Sequence, residues 1–425
     1  MKKQYIPIAF TLMASSAGFA QGNDAQPMRQ VQEQHPSDCC RPCCTPKPRD
    51  PVCCECYVPA WNDMQCDWGL YLTADYLYWY ARDCDQTYGY RVINSGPFRT
   101  IDSASGNLSS TRDFLTPANA VNMDTKWSSG VKLGLGWNTD CDGWDVYFQW
   151  TGYWNDNSDS SSVGVFANKT PAVGGSALVP QYLIQNTTGT FFEKIKGEWD
   201  FRMNRFDLQI GKRYWLSKCF TLRPYTGIGG IWTETDYDVT AFANTSVITA
   251  ADSSTLTTSG KASIENSNWG AGLLGGVQPT FQFSDCFALY GDAGMALYFG
   301  NLKEKNQQSL TQIVDSGTSS ILRPLNQTIA FTYKNDYYCM TPILDLAIGL
   351  RWETYWCDQQ YHFAFDLGWE HHVLFHHNHR TDFSQSFIEI DSSTGEQASA
   401  IFDVPLARET NLAMGGLVVR VRFDF

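Results

Sequence analysis

Apolar and polar residues alternate with a period of two over long stretches of this chain, the pattern of strands whose successive side chains point to opposite faces. From Lys126 to Trp137 one face carries Trp127, Ser129, Val131, Leu133, Leu135 and Trp137; the other carries Lys126, Ser128, Gly130, Lys132, Gly134 and Gly136. The two tryptophans bracket roughly 33 Å of strand, or about 25 Å of thickness at a tilt of about 40°. That is the height of the apolar band of a transmembrane barrel between its aromatic girdles. Trp144, Val146, Phe148, Trp150 and Trp154 likewise oppose Asp145, Tyr147, Gln149 and Thr151. Phe287, Leu289, Ala293, Met295, Leu297 and Phe299 oppose Tyr290, Asp292 and Gly294; Leu344 to Trp352 oppose Asp345, Gly349, Arg351 and Glu353. The pattern closes on Leu417, Val419, Val421, Phe423 and Phe425 against Val418, Arg420, Arg422 and Asp424. A soluble β-sandwich could supply one or two such strands, not a long series with charges on the minority face.

Ten strands are predicted, near 67–82, 125–138, 143–155, 197–216, 219–235, 264–283, 286–301, 336–354, 360–375 and 410–425. Short connections (Thr139–Asp142, Leu216–Lys218, Ser284–Asp285, Cys357–Gln359) alternate with long ones rich in Ser, Thr, Asn and Gly (83–124, 156–196, 236–263, 302–335, 376–409). Outer-membrane barrels put short turns in the periplasm and long loops outside, with an even strand number. Gln181–Phe192 and Thr328–Lys334 could add a further hairpin, so the expected fold is an all-β, antiparallel up-and-down transmembrane barrel of ten to twelve strands.

Composition agrees with strands that are only half apolar: mean hydropathy is −0.30, yet 14% of residues are aromatic. Met1-Lys2-Lys3, the apolar run Ile6–Ala17 and Gly18-Phe19-Ala20 read as a signal peptide cut after Ala20. Beyond it no run of 18 apolar residues predicts a transmembrane helix. Without Lys2 and Lys3 the basic count falls from 31 to 29 against 44 acids, a net charge near −15, which argues against nucleic acid as a partner.

Cysteines punctuate the repeat. Cys66, Cys141, Cys219, Cys286 and Cys357 are spaced by 75, 78, 67 and 71 residues, and Phe425 follows 68 later. Each unit is an up-strand, an outer connection, a down-strand and a tight turn bearing one cysteine. A second group, Cys39, Cys40, Cys43, Cys44, Cys53, Cys54 and Cys56, lies among Pro42, Pro46, Pro48, Pro51 and Pro59. Residues 21–60 are therefore expected to form a disordered periplasmic segment ahead of a barrel domain over 61–425. Zinc ligation is one reading of these thiols. Disulfides suit an oxidising compartment, and because vicinal cysteines bridge each other with difficulty, the partners would be the turn cysteines or neighbouring molecules.

The segments Trp199-Asp200-Phe201, Phe206-Asp207-Leu208-Gln209-Ile210-Gly211, Tyr214-Trp215-Leu216-Ser217 and Leu222-Arg223-Pro224-Tyr225-Thr226-Gly227 resemble the central hairpin of the Legionella-type pore-forming major outer membrane proteins, found also in chlamydia-like bacteria. Gly69 to Trp79 and Gly134-Leu135-Gly136-Trp137 are similar to that family's first strands. The likeness runs from about Trp61 to Phe425 and implies a porin-like role; it does not reach Gln21–Ala60. Phe423 and Phe425 resemble the terminal signature read by the barrel-insertion machinery. The cysteine block resembles the disulfide-linked envelope of chlamydiae.

Charges on the minority faces are the candidate pore-lining set: Lys126, Lys132, Asp145, Arg205, Asp207, Arg223, Asp292, Asp345, Arg351, Glu353, Asp366, Glu370, Arg420 and Arg422. Salt-bridging within a narrow barrel is the competing role. Inward glycines (Gly130, Gly134, Gly136, Gly272, Gly276, Gly294, Gly349, Gly368) either widen the lumen or permit tight curvature. Six of the seven histidines lie between His362 and His379; a metal or acid–base site at the outer rim competes with a hydrated loop that tolerates histidine. No Gly-x-Ser-x-Gly, Walker loop or His-Glu-x-x-His occurs, and no catalytic residue, metal or cofactor is assigned. The expectation is a non-enzymatic outer-membrane channel for small hydrophilic solutes that also crosslinks to itself or to other envelope proteins. A closed barrel acting as adhesin or scaffold, or a rim-active enzyme, are the alternatives. Its partners would be outer-membrane lipid, the insertion machinery and those solutes.

Overall fold

The computed structural model describes residues 58–60, 64, 69–83, 86–101, 108–139, 143–164, 172–183, 191–249, 252–316, 325–357, 359–391 and 397–425. The signal peptide, the Cys39–Cys56 block, Cys66 and Cys141 lie outside them.

Ten strands form one antiparallel ring: β1 (Leu70–Asp83), β2 (Trp127–Asn138), β3 (Trp144–Ser162), β4 (Lys194–Lys212), β5 (Phe220–Thr249), β6 (Asp252–Gln282), β7 (Phe287–Ser316), β8 (Leu325–Trp356), β9 (Tyr361–Asp391) and β10 (Gln397–Asp424). Each pairs with the next, and β10 returns to β1 from Leu412↔Asp83 to Asp424↔Tyr71. Closure satisfies every ladder and leaves no open edge, a requirement for sheet in hydrocarbon. The ring thus takes the lower of the expected strand numbers. Thr328–Lys334 is part of β8, paired with β7, and Phe192 bridges Leu178 outside the ring.

Three connections expected as long loops are instead continuations of the strands. β5 and β6 stay paired to Thr249↔Asp252, β7 and β8 to Val314↔Leu325, and β9 and β10 to Asp391↔Gln397. These six strands are 28 to 32 residues long, whereas about 9–11 residues cross a bilayer. Beyond the membrane the outward face meets water instead of lipid while the inward face stays buried with a mixture of polar and apolar residues such as Asn306, Gln308 and Leu310, so the apolar–polar contrast disappears while the backbone ladder continues. The other two long connections contribute a separate small sheet, Leu108–Asn122, Thr87–Ile101 and Ser176–Pro180 in that order.

Outward-facing side chains form a broad apolar band: Leu133, Leu135, Ile210, Ile228, Leu273, Met295, Ile348 and Leu367 are all exposed. So large and continuous a patch would be untenable in water and is at home in lipid. Aromatic rings border it. At the long-hairpin edge Tyr78 stacks on Trp127 at 5.3 Å, Trp127 meets Trp369 at 5.9 Å, and Trp232 pairs in register with Trp269. At the short-turn edge Phe423 packs against Tyr361, Trp356 and Phe425 at 5.8, 6.1 and 5.7 Å. The turn cysteines Cys219, Cys286 and Cys357 lie at this edge, with Cys286 buried and the other two exposed.

Candidate functional site

The inner face of the ring is polar, and strand alternation is what makes it so. Asp75, Lys132, Asp145, Asp207, Arg223, Asp366, Glu370 and Arg422 are all buried inside, one pleat away from the lipid-facing residues. Arg205 donates from Nη1 and Nη2 to the two carboxylate oxygens of Asp345 at 3.0 and 2.8 Å and from Nε to Asp207 at 3.1 Å. Arg223 donates to Asp145 at 2.5–3.0 Å. Arg351 grips Asp366 with two bonds of 2.8 Å, and Arg420 holds Asp75 at 2.7–2.9 Å. Lys132 bonds Glu370, and Arg422 holds Asp424 from within its own strand. Ion pairs with bidentate geometry are the strong class, and here both partners are largely shielded from solvent.

Every candidate pore-lining residue except one is placed inside the barrel. Lys126 precedes β2 at the rim, where it pairs with exposed Asp156 at 2.8 Å. Asp292 takes hydrogen bonds from Tyr225 and Gln278 rather than from a cation. Glu353 accepts from Gln282 and lies 3.6 Å from His362. Asp75 and Asp424, carboxylates of the network not singled out before, were visible in the alternation as minority-face positions. Arg213, of the same parity as Arg205 and Asp207 within the expected strand 197–216, was equally visible and not singled out; in the structure it lies between strands.

Six of the inward glycines face tyrosine side chains. A Cβ on Gly136 would meet the ring of Tyr71; one on Gly134, the hydroxyl of Tyr147; one on Gly276 or Gly294, that of Tyr225; and one on Gly349 or Gly368, the ring of Tyr290. Each of these six glycines leaves room for a tyrosine side chain, whereas a Cβ on Gly272 would meet the Leu297 carbonyl of the neighbouring strand. Two small polar chambers, of about 70 and 80 Å³, lie inside the ring within the membrane band. They share the lining residues Tyr147, Gln278, Asp292, Ala347, Glu370 and Arg420.

At the long-hairpin end the lumen gives way to apolar packing. Tyr88, Leu178, Tyr182, Leu183 and Phe192, from the two irregular connections, are buried in one cluster with Trp79, Ile195, Trp199, Phe201 and Tyr237. The Tyr237 hydroxyl donates to the Thr87 carbonyl at 2.9 Å. Arg380, fully buried, bonds Asp83 at 2.7 Å and lies 4.3 Å over the Tyr237 ring and 5.7 Å over that of Tyr182.

The six histidines from His362 to His379 lie on β9 rather than on a loop, and of them only His376 is exposed. His372 faces the lumen, 2.6 Å from Asp345 and 3.4 Å from Glu370. His377 is buried between Thr233 and Asn268. A bulge between Leu374 and Asn378, with His376 at φ 50°, changes the alternation there, so consecutive residues from His377 to Thr381 are all buried. Among the described residues no group of three His, Cys, Asp or Glu side chains is placed to hold a metal ion.

No curated protein matches the sequence. Among solved structures the fold is similar to the outer membrane protease OmpT of Escherichia coli, at 10% identity over 86% of this chain and 100% of that one with a TM-score of 0.32. It is also similar to a Pseudomonas aeruginosa FadL homologue (7%, 84% and 89%, 0.20) and to the Pseudomonas putida toluene transporter TodX (7%, 84% and 89%, 0.22). Residues 62–425 match the family described as Legionella pneumophila major outer membrane protein precursor. The chain therefore belongs to the Legionella major outer membrane protein family and is an outer-membrane β-barrel.

Proposed function

We propose that the barrel is a narrow porin-like channel for small hydrophilic solutes. The observation that carries this reading is the pair of polar chambers sharing one wall through the membrane band: charged and hydroxyl groups line the route, and arginine–carboxylate struts set its width. Ten strands enclose a small interior, so the solutes are ions and the smallest metabolites. In this reading the short turns face the periplasm, the long ribbons face outward, and the apolar packing around Tyr88 and Tyr237 must shift for solute to enter. The protein is a conduit without catalytic chemistry. The terminal Phe423 and Phe425 serve its assembly, and the cysteine-rich segment is a periplasmic crosslinker to other envelope proteins or to copies of itself.

A closed barrel acting as envelope scaffold is the second reading, favoured by the Arg205–Asp345 strut and by the apolar packing at the long-hairpin end. Swelling of liposomes carrying the purified barrel separates the two. Uptake of glycerol and of three-carbon to five-carbon sugars that falls steeply with solute size supports the channel. Liposomes that stay osmotically tight with correctly folded protein support the scaffold.

A further inference from the structure

The chamber nearer the short turns is unequally charged. Five arginines line it: Arg213, Arg223, Arg351, Arg420 and Arg422, against Asp292 and Glu370 as its only lining acids among the described residues. Four of the five have a carboxylate of their own, since Asp145, Asp366, Asp75 and Asp424 hold Arg223, Arg351, Arg420 and Arg422 respectively. Arg213 differs. It lies just past the end of β4, its backbone fixed by bonds from its N–H to the Gly143 carbonyl and from the Ala60 N–H to its own carbonyl. Among the described residues its guanidinium makes no ion pair. The guanidinium groups of Arg422 and Arg223 line the same chamber beside it, so it is a cation placed among cations. A guanidinium is a planar fork of donors matched to oxyanions, and an unpaired one beside other cations is a strained arrangement that an anion would relieve.

We infer that this chamber is a binding site for small oxyanions, phosphate or carboxylate groups, with Arg213 as the residue that contacts them. Thr221 and Thr280, also in the lining, place hydroxyl donors on the same wall. The companion chamber, lined by Lys132, Arg205, Arg420 and His372 against Asp207, Asp292, Asp345 and Glu370, has no such excess, so the anion is held toward the short-turn mouth. The inference does not depend on conduction: the same site would serve a channel as a selectivity element and a closed barrel as an anion-binding pocket.

Calorimetric titration of the full-length, detergent-folded protein with inorganic phosphate tests it. Saturable binding is expected, weakened on the order of tenfold in Arg213→Gln, the worth of one charge-assisted hydrogen bond. The rim variant Lys126→Gln should bind as the unaltered protein does. A readout that needs no variant is protection of Arg213 from phenylglyoxal by phosphate, followed by mass spectrometry. Absence of saturable binding, equal affinity in Arg213→Gln, or modification of Arg213 at the same rate with and without phosphate would each overturn the assignment. A barrel that binds phosphate yet leaves liposomes tight would remove the channel and keep the site.

Discussion

Arg205 and Asp345 are joined by two hydrogen bonds of 3.0 and 2.8 Å although 140 residues separate them along the chain and three strands stand between β4 and β8 around the shorter arc of the ring. The pair is a strut across the lumen. Removing one partner of a shielded ion pair leaves a charge without compensation, which costs about 3–5 kcal/mol where water cannot reach it. Asp345 keeps His372 as a neighbour at 2.6 Å, so the lower end applies. Arg205→Ala is expected to lower the temperature at which the folded barrel loses its gel-shifted mobility. Asp345→Asn in the same background should restore part of the loss, and a single variant as stable as the parent would show the strut to be ornamental.

The tyrosine–glycine packing makes a second prediction. Gly136→Val places methyl groups where the Tyr71 ring lies, and overpacking of this kind costs about 1–3 kcal/mol. Combining it with Tyr71→Ala should recover stability in urea unfolding. If the double variant is no better than Gly136→Val alone, the ring is not the obstacle.

How much of this was legible in the sequence differs from group to group. Arg205, Arg223 and Arg351 could be assigned to the inner face from alternation alone, because period two survives wherever one face meets lipid. Their partners could not be read, since Asp345 meets Arg205 only once the ring has closed. The ribbons beyond the membrane were hidden for the opposite reason: Thr255, Ser259 and Ser309 are polar whichever way they face, so the ladder that pairs them leaves no periodic trace. At His377 a bulge broke the parity on which the reading relied. The inward glycines were read as lumen width or as tight curvature, but what lies against them is decided by tyrosines on neighbouring strands.

The outward rim supplies a pH-dependent prediction. Two rows beyond the Trp232–Trp269 girdle, Asp156, Asp200, Asp236 and Glu265 lie directly opposite one another on successive strands. Partial burial and then the neighbouring acids raise the carboxyl pKa values of Asp200 and Asp236. A carboxyl with a raised folded pKa adds stability below its unfolded pKa and loses it as pH rises through the folded value. At neutral pH these groups are therefore a burden, worth about a few tenths of a kcal/mol each after solvent screening. Asp236→Asn should raise the unfolding midpoint at pH 7 in low salt and make no difference below about pH 4. A gain that persists at low pH would exclude charge repulsion as its cause.

Orientation is tested through the turn cysteines. Cys219 and Cys357 are exposed and Cys286 is buried, all at the short-turn edge. With the short turns in the periplasm, a membrane-impermeant maleimide should leave all three unlabelled in intact reduced cells. Once the outer membrane is opened it should label Cys219 and Cys357 quickly and Cys286 slowly. Labelling of Cys219 on intact cells would invert the barrel.

The central claim is that the polar chambers form a route for solute, and single-channel recording in planar bilayers tests it most directly. The account predicts small discrete conductance steps from the purified protein, as befits ten strands with charged struts across them, and larger steps from Arg205→Ala, which removes one strut. Barrels that insert with full gel-shifted mobility and yet stay silent, both unaltered and as Arg205→Ala, would contradict it.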